Sequence, residues 1–296
     1  TALVDLDDAL VDRVADRFGV PYRFESVDAL FSEVAVDAMI AACPPQAHEE
    51  IAHAAIERGL GVFLEKPPAV STVGLRRLAD AAERRGVTTG VGMNMRYAGP
   101  YLRIRELLTQ PEVGMPVSVT VRHVASKPRG ALWGLPPLRS FLLAQAIHPF
   151  DLLLNLTGPA MTVETVCLHD GTDTLVSVQT QSASGAVGSV LTGTYAPRFE
   201  SRVEILTDAG VGIALTGLAE LTVTGLPAAS AAGGSRGWSQ QWRPSPLDTG
   251  FERTGFQHEL RAFLTAATSR SPFTPGLADL LPTFELLDLV EQRAAA

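Results

Sequence analysis

Val36-Asp37-Ala38-Met39-Ile40-Ala41-Ala42 is an apolar run closed by Pro44-Pro45; a helical stretch follows from about Gln46 to Arg58, stops at Gly59, and gives way to Gly61-Val62-Phe63-Leu64. Strand, helix and strand in that order, with strands apolar throughout rather than alternating, describe a parallel β-α-β unit covered on both faces. The same rhythm extends outward. Toward the N terminus, Ala2-Leu3-Val4 runs into Asp5, and Asp7 or Asp8 caps a helix carrying Leu10, Val11, Val14 and Phe18 that ends near Gly19. Toward the C terminus, Ser71 caps a helix reaching Gly86, and Thr88 to Val91 supplies another strand. Successive units of this kind build an α/β sheet with helices on both sides.

After Tyr101 the period changes. A short helix from about Pro100 to Leu108 leads into Val117-Ser118-Val119-Thr120-Val121-Arg122, which alternates with period two. Further strands are predicted at Thr162–Leu168, Leu175–Gln181, Ala186–Thr194, Arg202–Leu206, Gly212–Leu215 and Leu221–Val223, with turn signals at Asp170-Gly171 and Ala209-Gly210. Together they predict a large, mostly antiparallel open sheet. One helix, about Phe141 to Leu156, interrupts the strands and carries His148 and Asp151. Helices at about Gly255–Thr268 and Leu277–Gln292 close the chain, and Pro227–Gly237 reads as a loop. The change of rhythm divides the chain into a parallel-sheet domain, residues 1–98, and a second α/β domain, residues 99–296.

Composition narrows the function classes. In 296 residues, 46% are hydrophobic and 19% charged, which is enough apolar material for packed cores. A net charge of −8 has the wrong sign for sequence-independent nucleic-acid binding. No apolar run reaches the roughly 18 residues of a membrane span. Cys43 and Cys167 are too few for a disulfide scaffold, so a cytoplasmic protein is expected. Of 24 basic residues, Lys66 and Lys127 are the two lysines. A lysine retained against so strong an arginine bias is suited to what arginine cannot do, such as releasing its proton.

Three segments carry chemistry. Cys43-Pro44-Pro45-Gln46-Ala47-His48 follows the carboxyl end of a parallel strand, the edge where open α/β sheets bind ligands; it also reads as a plain proline-rich turn. His48 and His53 stand about 140° apart on a helix, so they are no metal pair. Glu65-Lys66-Pro67-Pro68 ends the next strand and projects a lysine toward the same crevice, either as a proton shuttle or as half of a strand-end ion pair. His148 and Asp151, three residues apart, share one side of their helix. A histidine there suits proton transfer on a hydroxyl or carbonyl, or is simply packed. Lys127 and Arg129 precede that helix in a Gly/Pro-punctuated stretch from which they reach toward substrate. Gly233-Gly234-Ser235-Arg236-Gly237 has hydrolase spacing but neither the preceding strand nor the following helix. His123, His169 and His258 carry no pattern.

In this order and at these separations, Asp5, Pro44-Pro45-Gln46-Ala47-His48, Glu65-Lys66-Pro67, Gly92-Met93-Asn94-Met95-Arg96-Tyr97, Ala146-Ile147-His148-Pro149-Phe150-Asp151, Gly255-Phe256-Gln257-His258-Glu259-Leu260 and Thr274-Pro275-Gly276 resemble the Gfo/Idh/MocA family of glucose–fructose oxidoreductase and inositol dehydrogenase. The resemblance runs the length of the chain. It implies a Rossmann-type domain, a C-terminal domain whose sheet face makes a homo-oligomer, and NAD(P)-dependent oxidation or reduction of a sugar, cyclitol or related small molecule. Asp5, Cys43, Pro44, Pro45, His48, Glu65, Lys66 and Arg96 are then expected at the dinucleotide. Lys66, Lys127, Arg129, Gln145, His148 and Asp151 are expected at the substrate, with Lys66 and His148 catalytic. Leu6 after Asp5 offers no charge for a 2′-phosphate, which favours NAD over NADP.

Two departures stand out. In the family's D-x-G-x-H-x-x-D segment, Ala144 occupies the position of the first acid and Ala146 that of the glycine. No G-x-G-x-x-G occurs, and the family carries it after a first strand upstream of Asp5. A Rossmann-type sheet without that strand is expected to be interrupted between Ala2–Val4 and Val36–Ala42. The departures leave two other readings open: a non-catalytic ligand- or partner-binding homologue, and an imine reductase on the same scaffold.

Overall fold

The computed structural model describes residues 1–225 and 239–294. The N-terminal part comprises β1 (Ala2–Val4), α1 (Asp8–Phe18), β2 (Tyr22–Phe24), α2 (Val27–Glu33), β3 (Ala38–Ala41), α3 (Pro45–Glu57), β4 (Gly61–Leu64), α4 (Thr72–Arg85) and β5 (Thr89–Val91). Side-chain oxygens of Asp7, Ser26 and Ser71 accept from backbone N–H groups in the first turns of α1, α2 and α4. Gly19 and Gly86 close α1 and α4 in the left-handed conformation that a Cβ disfavours. Sequence inspection leaves β2 and α2 unassigned. Both are short, and Leu30 is the one buried residue of α2, so hydrophobic periodicity has little to register.

β3, β4 and β5 form a parallel sheet, whereas β1 pairs in parallel with β2 in a separate sheet. The expected interruption therefore lies between β1 and β3.

A 3-10 turn at Asn94–Tyr97 leads into the second part: α5 (Gly99–Leu107), β6 (Pro116–Val124), α6 (Pro137–Phe141), α7 (Ile147–Thr157), β7 (Ala160–His169), β8 (Thr174–Ser182), β9 (Val187–Gly193), β10 (Glu200–Thr207), β11 (Gly212–Thr216), β12 (Glu220–Thr224), β13 (Ser239–Trp242), α8 (Gly250–Arg253), α9 (Phe256–Ser269) and α10 (Leu281–Ala294). The sheet runs β13-β12-β11-β10-β6-β9-β8-β7. Every pair is antiparallel except β6–β9, which is parallel. Period-two alternation puts Val119, Val121, Val176, Val178, Val190, Val203 and Ile205 on its buried face, and α7 lies across β6 and β9.

The two parts share packing. Phe263 of α9 sits against Phe63 of β4 (ring centroids 5.2 Å apart) and Phe273 (5.7 Å). α10 packs on both α4 and α7. The helix expected over about Phe141–Leu156 is not continuous: α6 and α7 are joined by a π-turn at Leu142–Ala146. Such turns recur at functional sites, and this one lies directly before His148. Ser239–Trp242 forms edge strand β13 against β12, while the Gly233–Gly237 motif and Trp238 lie outside the described residues.

Candidate active site

The site forms where the loops after β3 and β4 meet the π-turn and the start of α7. Lys66 follows β4, and its ammonium Nζ donates to the backbone carbonyl of Ala144 at 2.8 Å. Burial pushes the Lys66 pKa down, and the charge of Glu65 partly opposes this. The Glu65 carboxylate in turn accepts from the Lys66 backbone N–H at 3.0 Å. Gly92, after β5, packs closely on Glu65: a Cβ there would lie 3.1 Å from its carboxyl group. His48 is buried beneath the loops. Its Nδ1–H donates to the Pro67 carbonyl at 3.0 Å, and its Nε2 faces the Cys43 N–H at 3.4 Å. Burial lowers its pKa, so the neutral ring braces the β3 and β4 loops together. Pro44 and Pro45 open α3, as suits residues without an N–H at a helix start.

His148 stands in the first turn of α7, half-buried, with its Nδ1 buried and without a partner among the described residues. Burial, then the charges of Lys66 and His123, hold its pKa well below the ordinary histidine value. The His123 ring lies 6.5 Å from it, centroid to centroid. His123 projects from the inner face of β6, and burial and Lys66 push its pKa down to about 4. Its Nδ1 also has no partner among the described residues, and Phe199 meets the ring edge-to-face at 5.0 Å. The sequence around His123 carries no motif. The available signal was its phase, since it points to the same side of β6 as Val119 and Val121. Gln145 donates to the Gly193 carbonyl at 3.0 Å, leaving its buried Oε1 unpartnered among the described residues. Lys66, Gln145, His148 and His123 thus lie close together where these elements meet.

Two stretches match known families. Residues 1–93 match the oxidoreductase family with an NAD-binding Rossmann fold, and residues 101–211 match the GFO/IDH/MocA C-terminal domain. A crystal structure of a dehydrogenase from Chromobacterium violaceum is 34% identical, with a TM-score of 0.92, covering 99% of this chain and 86% of that one. The chain belongs to the Gfo/Idh/MocA oxidoreductase family. D-xylose 1-dehydrogenase (NADP(+)) 2 of Haloferax volcanii is 33% identical over 130 residues, 44% of this chain and 40% of that enzyme. Inositol 2-dehydrogenase of Streptomyces avermitilis is 36% identical over 120 residues, 40% of this chain and 35% of that enzyme. The chain therefore aligns with less than half the length of these two curated relatives.

For a Gfo/Idh/MocA chain, the residues present fit two ends of a dinucleotide. The partly buried ammonium of Lys66, beside the π-turn, suits the nicotinamide end. Asp5 sits exposed after β1, beside a Leu6 that is 92% exposed, and suits a ribose diol. The sequence carries no G-x-G-x-x-G to cradle a pyrophosphate, and among the described residues no glycine-rich turn leads from a strand into a helix.

Several expected site residues have partners within the protein. Arg96 and Asp151 are joined to each other. The Arg96 guanidinium donates to the two Asp151 carboxylate oxygens at 2.7 and 2.5 Å, with both side chains buried. The 3-10 turn at Asn94–Tyr97 directs Arg96 inward, and the family's two polar positions are joined as a structural clamp. Lys127 lies on an exposed loop, and the nearby Arg129 is engaged by Asp173 at 2.7 Å. The Cys43 thiol is pushed up by burial, which disfavours a reactive thiolate. Glu259 is a further group that sequence inspection assigned no role. It is fully buried, and burial with the Glu65 charge raises its pKa to about 9, partly opposed by the Met93 backbone N–H. Among the described residues no cluster of His, Cys, Asp or Glu could hold a metal ion, and no helix is long and apolar enough to cross a membrane.

Proposed function

We propose that this chain is an NAD(P)-dependent oxidoreductase, with NAD favoured, that moves hydride between nicotinamide and a hydroxyl or carbonyl carbon of a sugar, cyclitol or related small molecule. The observation that carries this reading is Lys66, pinned to the Ala144 carbonyl at 2.8 Å in the crevice that also holds His148. The nicotinamide, when bound, supplies the hydride acceptor or donor. Lys66 orients the reacting oxygen and polarises it. His148, held neutral by burial and by the Lys66 charge, takes the hydroxyl proton during oxidation and returns it during reduction. Ala144 contributes its carbonyl where the family's acid would contribute a carboxylate, so hydroxyl recognition falls to other polar groups of the crevice.

We divide the roles at residue 98, with 1–98 as the dinucleotide unit and 99–296 as the substrate unit. We also propose a cytoplasmic homo-oligomer joined through the outer face of the large sheet. Exposed Val166, Leu168, Val187 and Leu206 on that face and two free cysteines support this.

The test is dinucleotide reduction by the purified chain with D-xylose, myo-inositol and related polyols. Lys66→Ala and His148→Ala are expected to lower kcat by about 100-fold or more while the unfolding temperature barely moves. Absence of saturable NAD(H) binding would favour a non-catalytic ligand- or partner-binding protein instead. Variants that lose activity only in proportion to stability would remove both residues from the chemistry.

A further inference from the structure

Helical backbone runs from Pro137 to Thr157 through the π-turn at Leu142–Ala146. Pro149 supplies a reason for that turn: it has no N–H, and its ring crowds the carbonyl four residues back, that of Gln145. An α-helical register is penalised there. Instead the Ile147 N–H reaches the Leu142 carbonyl, one residue further back than an α-helix requires. In that wider register the residue facing the Ala144 carbonyl is Pro149, which has no hydrogen to give. The carbonyl takes the Lys66 ammonium, at 2.8 Å. A second contact joins the same two segments. Arg139, buried three residues before the π-turn, donates from Nε and Nη2 to the Val70 carbonyl at 3.3 and 3.1 Å. Its Nη1 donates to Asp288 at 2.7 Å and Glu291 at 3.2 Å, both on α10. Asp288 also accepts from Thr72 Oγ1, in the first turn of α4, at 2.5 Å. Lys66 and Val70 lie four residues apart on one segment, Ala144 and Arg139 five apart on the other, so the Arg139 contact fixes the span across which Lys66 reaches.

Resting on the dehydrogenase reading above, we propose that Pro149 and Arg139 are positioning residues for Lys66: Pro149 leaves the Ala144 carbonyl to the Lys66 ammonium, and Arg139 holds the segment bearing that carbonyl against the loop bearing the lysine. Both act through Lys66. The arrangement answers the alanine at position 144. A side-chain carboxylate would aim the ammonium and neutralise it, whereas a main-chain oxygen aims it without a full opposing charge. Burial then lowers the Lys66 pKa against the opposing Glu65 charge. Arginine suits position 139 better than lysine, because its fork reaches the Val70 carbonyl and two carboxylates at once.

The chain's two lysines make the test direct. Nitrogen-15 labelling of lysine gives two side-chain ammonium signals, Lys66 and the loop residue Lys127, told apart by Lys127→Arg. In wild type the Lys66 ammonium protons are expected to exchange with water about tenfold more slowly than those of Lys127. Pro149→Ala supplies the missing N–H and lets the α-helical register close. It is expected to speed Lys66 exchange toward that of Lys127 and to lower kcat for a polyol by about 10–100-fold, with KM for NAD unchanged. The unfolding temperature should hold, since alanine is the better helix former and offsets the small buried ring it removes. A purely structural proline gives the reverse split, with stability lost and Lys66 exchange unmoved. Arg139→Lys keeps a positive charge before Asp288 and Glu291 but loses the fork, and should shift exchange and kcat in the same direction by less. Lys66 protons exchanging as fast as those of Lys127 in wild type, or exchange and kcat unchanged in both variants, overturn the assignment. The exchange measurement needs no substrate. A wild type that turns over no polyol therefore defeats the dehydrogenase reading and leaves Lys66 exchange in Pro149→Ala to decide the positioning.

Discussion

Replacing Asp151 with Asn separates a structural role from a substrate role. In the native chain, the Arg96 guanidinium makes two bonds to Asp151, at 2.7 and 2.5 Å, with side-chain exposures of 9% and 1%. Removing one charge of such a buried pair costs about 3–5 kcal/mol, because the remaining charge stays desolvated without its counter-ion. Asn keeps one acceptor oxygen, so the lower figure applies. For 296 residues, about 3 kcal/mol corresponds to a fall of about 5 °C in unfolding temperature. That is a large fraction of the roughly 5–15 kcal/mol that holds a domain together. The assay is thermal unfolding with denaturant titration, alongside NAD and polyol binding measured well below the transition. The expected variant is much less stable yet binds both ligands with near-native affinity. The double variant Arg96→Met, Asp151→Leu should recover most of the loss, since apolar residues of similar volume often replace a buried pair without penalty. An Asp151→Asn variant within about 2 °C of wild type, but with weakened polyol binding, would refute the clamp and restore Asp151 to the substrate site.

Two further predictions concern proton linkage. Glu259, with its pKa raised to about 9, folds in the protonated form, so its contribution is intact in acid and lost as pH rises toward 9. Glu259→Gln should therefore gain stability over wild type by up to about 1.4 kcal/mol per pH unit between pH 5 and 8; a difference independent of pH would contradict the neutral buried carboxyl. His123 has the opposite sense. Its folded pKa of about 4 lies below the unfolded value of 6.5, so stability is complete above 6.5 and falls as pH drops toward 4. The loss is up to about 3 kcal/mol. His123→Gln should unfold at a more acidic pH than wild type, and an unchanged acid limb would argue for a charged His123.

The parallel β-α rhythm, the cap residues Asp7 and Ser71, and the alternating strands after Tyr101 were legible because each depends on neighbours within a few residues. Lys66 and His148 stand out in the sequence because lysine and histidine at a strand end and in a helix turn each carry chemistry of their own. Local pattern failed where pairing is long-range. Arg96 and Asp151 looked like ligand-facing polar residues because nothing in either segment announces the other, 55 positions away. His123 looked patternless because a polar residue among valines on β6 acquires meaning only from what lies opposite it.

The residues alone determined the secondary-structure rhythm, the change from parallel to mostly antiparallel sheet, and the chemical types offered at the two ends of the crevice, since propensity, capping and periodicity act over a single turn or strand. Tertiary structure alone decided which polar groups are spent on each other and which are left unpaired. It joined Lys66 to the carbonyl of Ala144, 78 residues away, closed Arg96 onto Asp151, and set His123 beside His148 with their Nδ1 atoms unpartnered among the described residues. The reason is physical. The cost of burying a polar group is set by the partner it meets after folding, and that partner comes from a distant part of the chain.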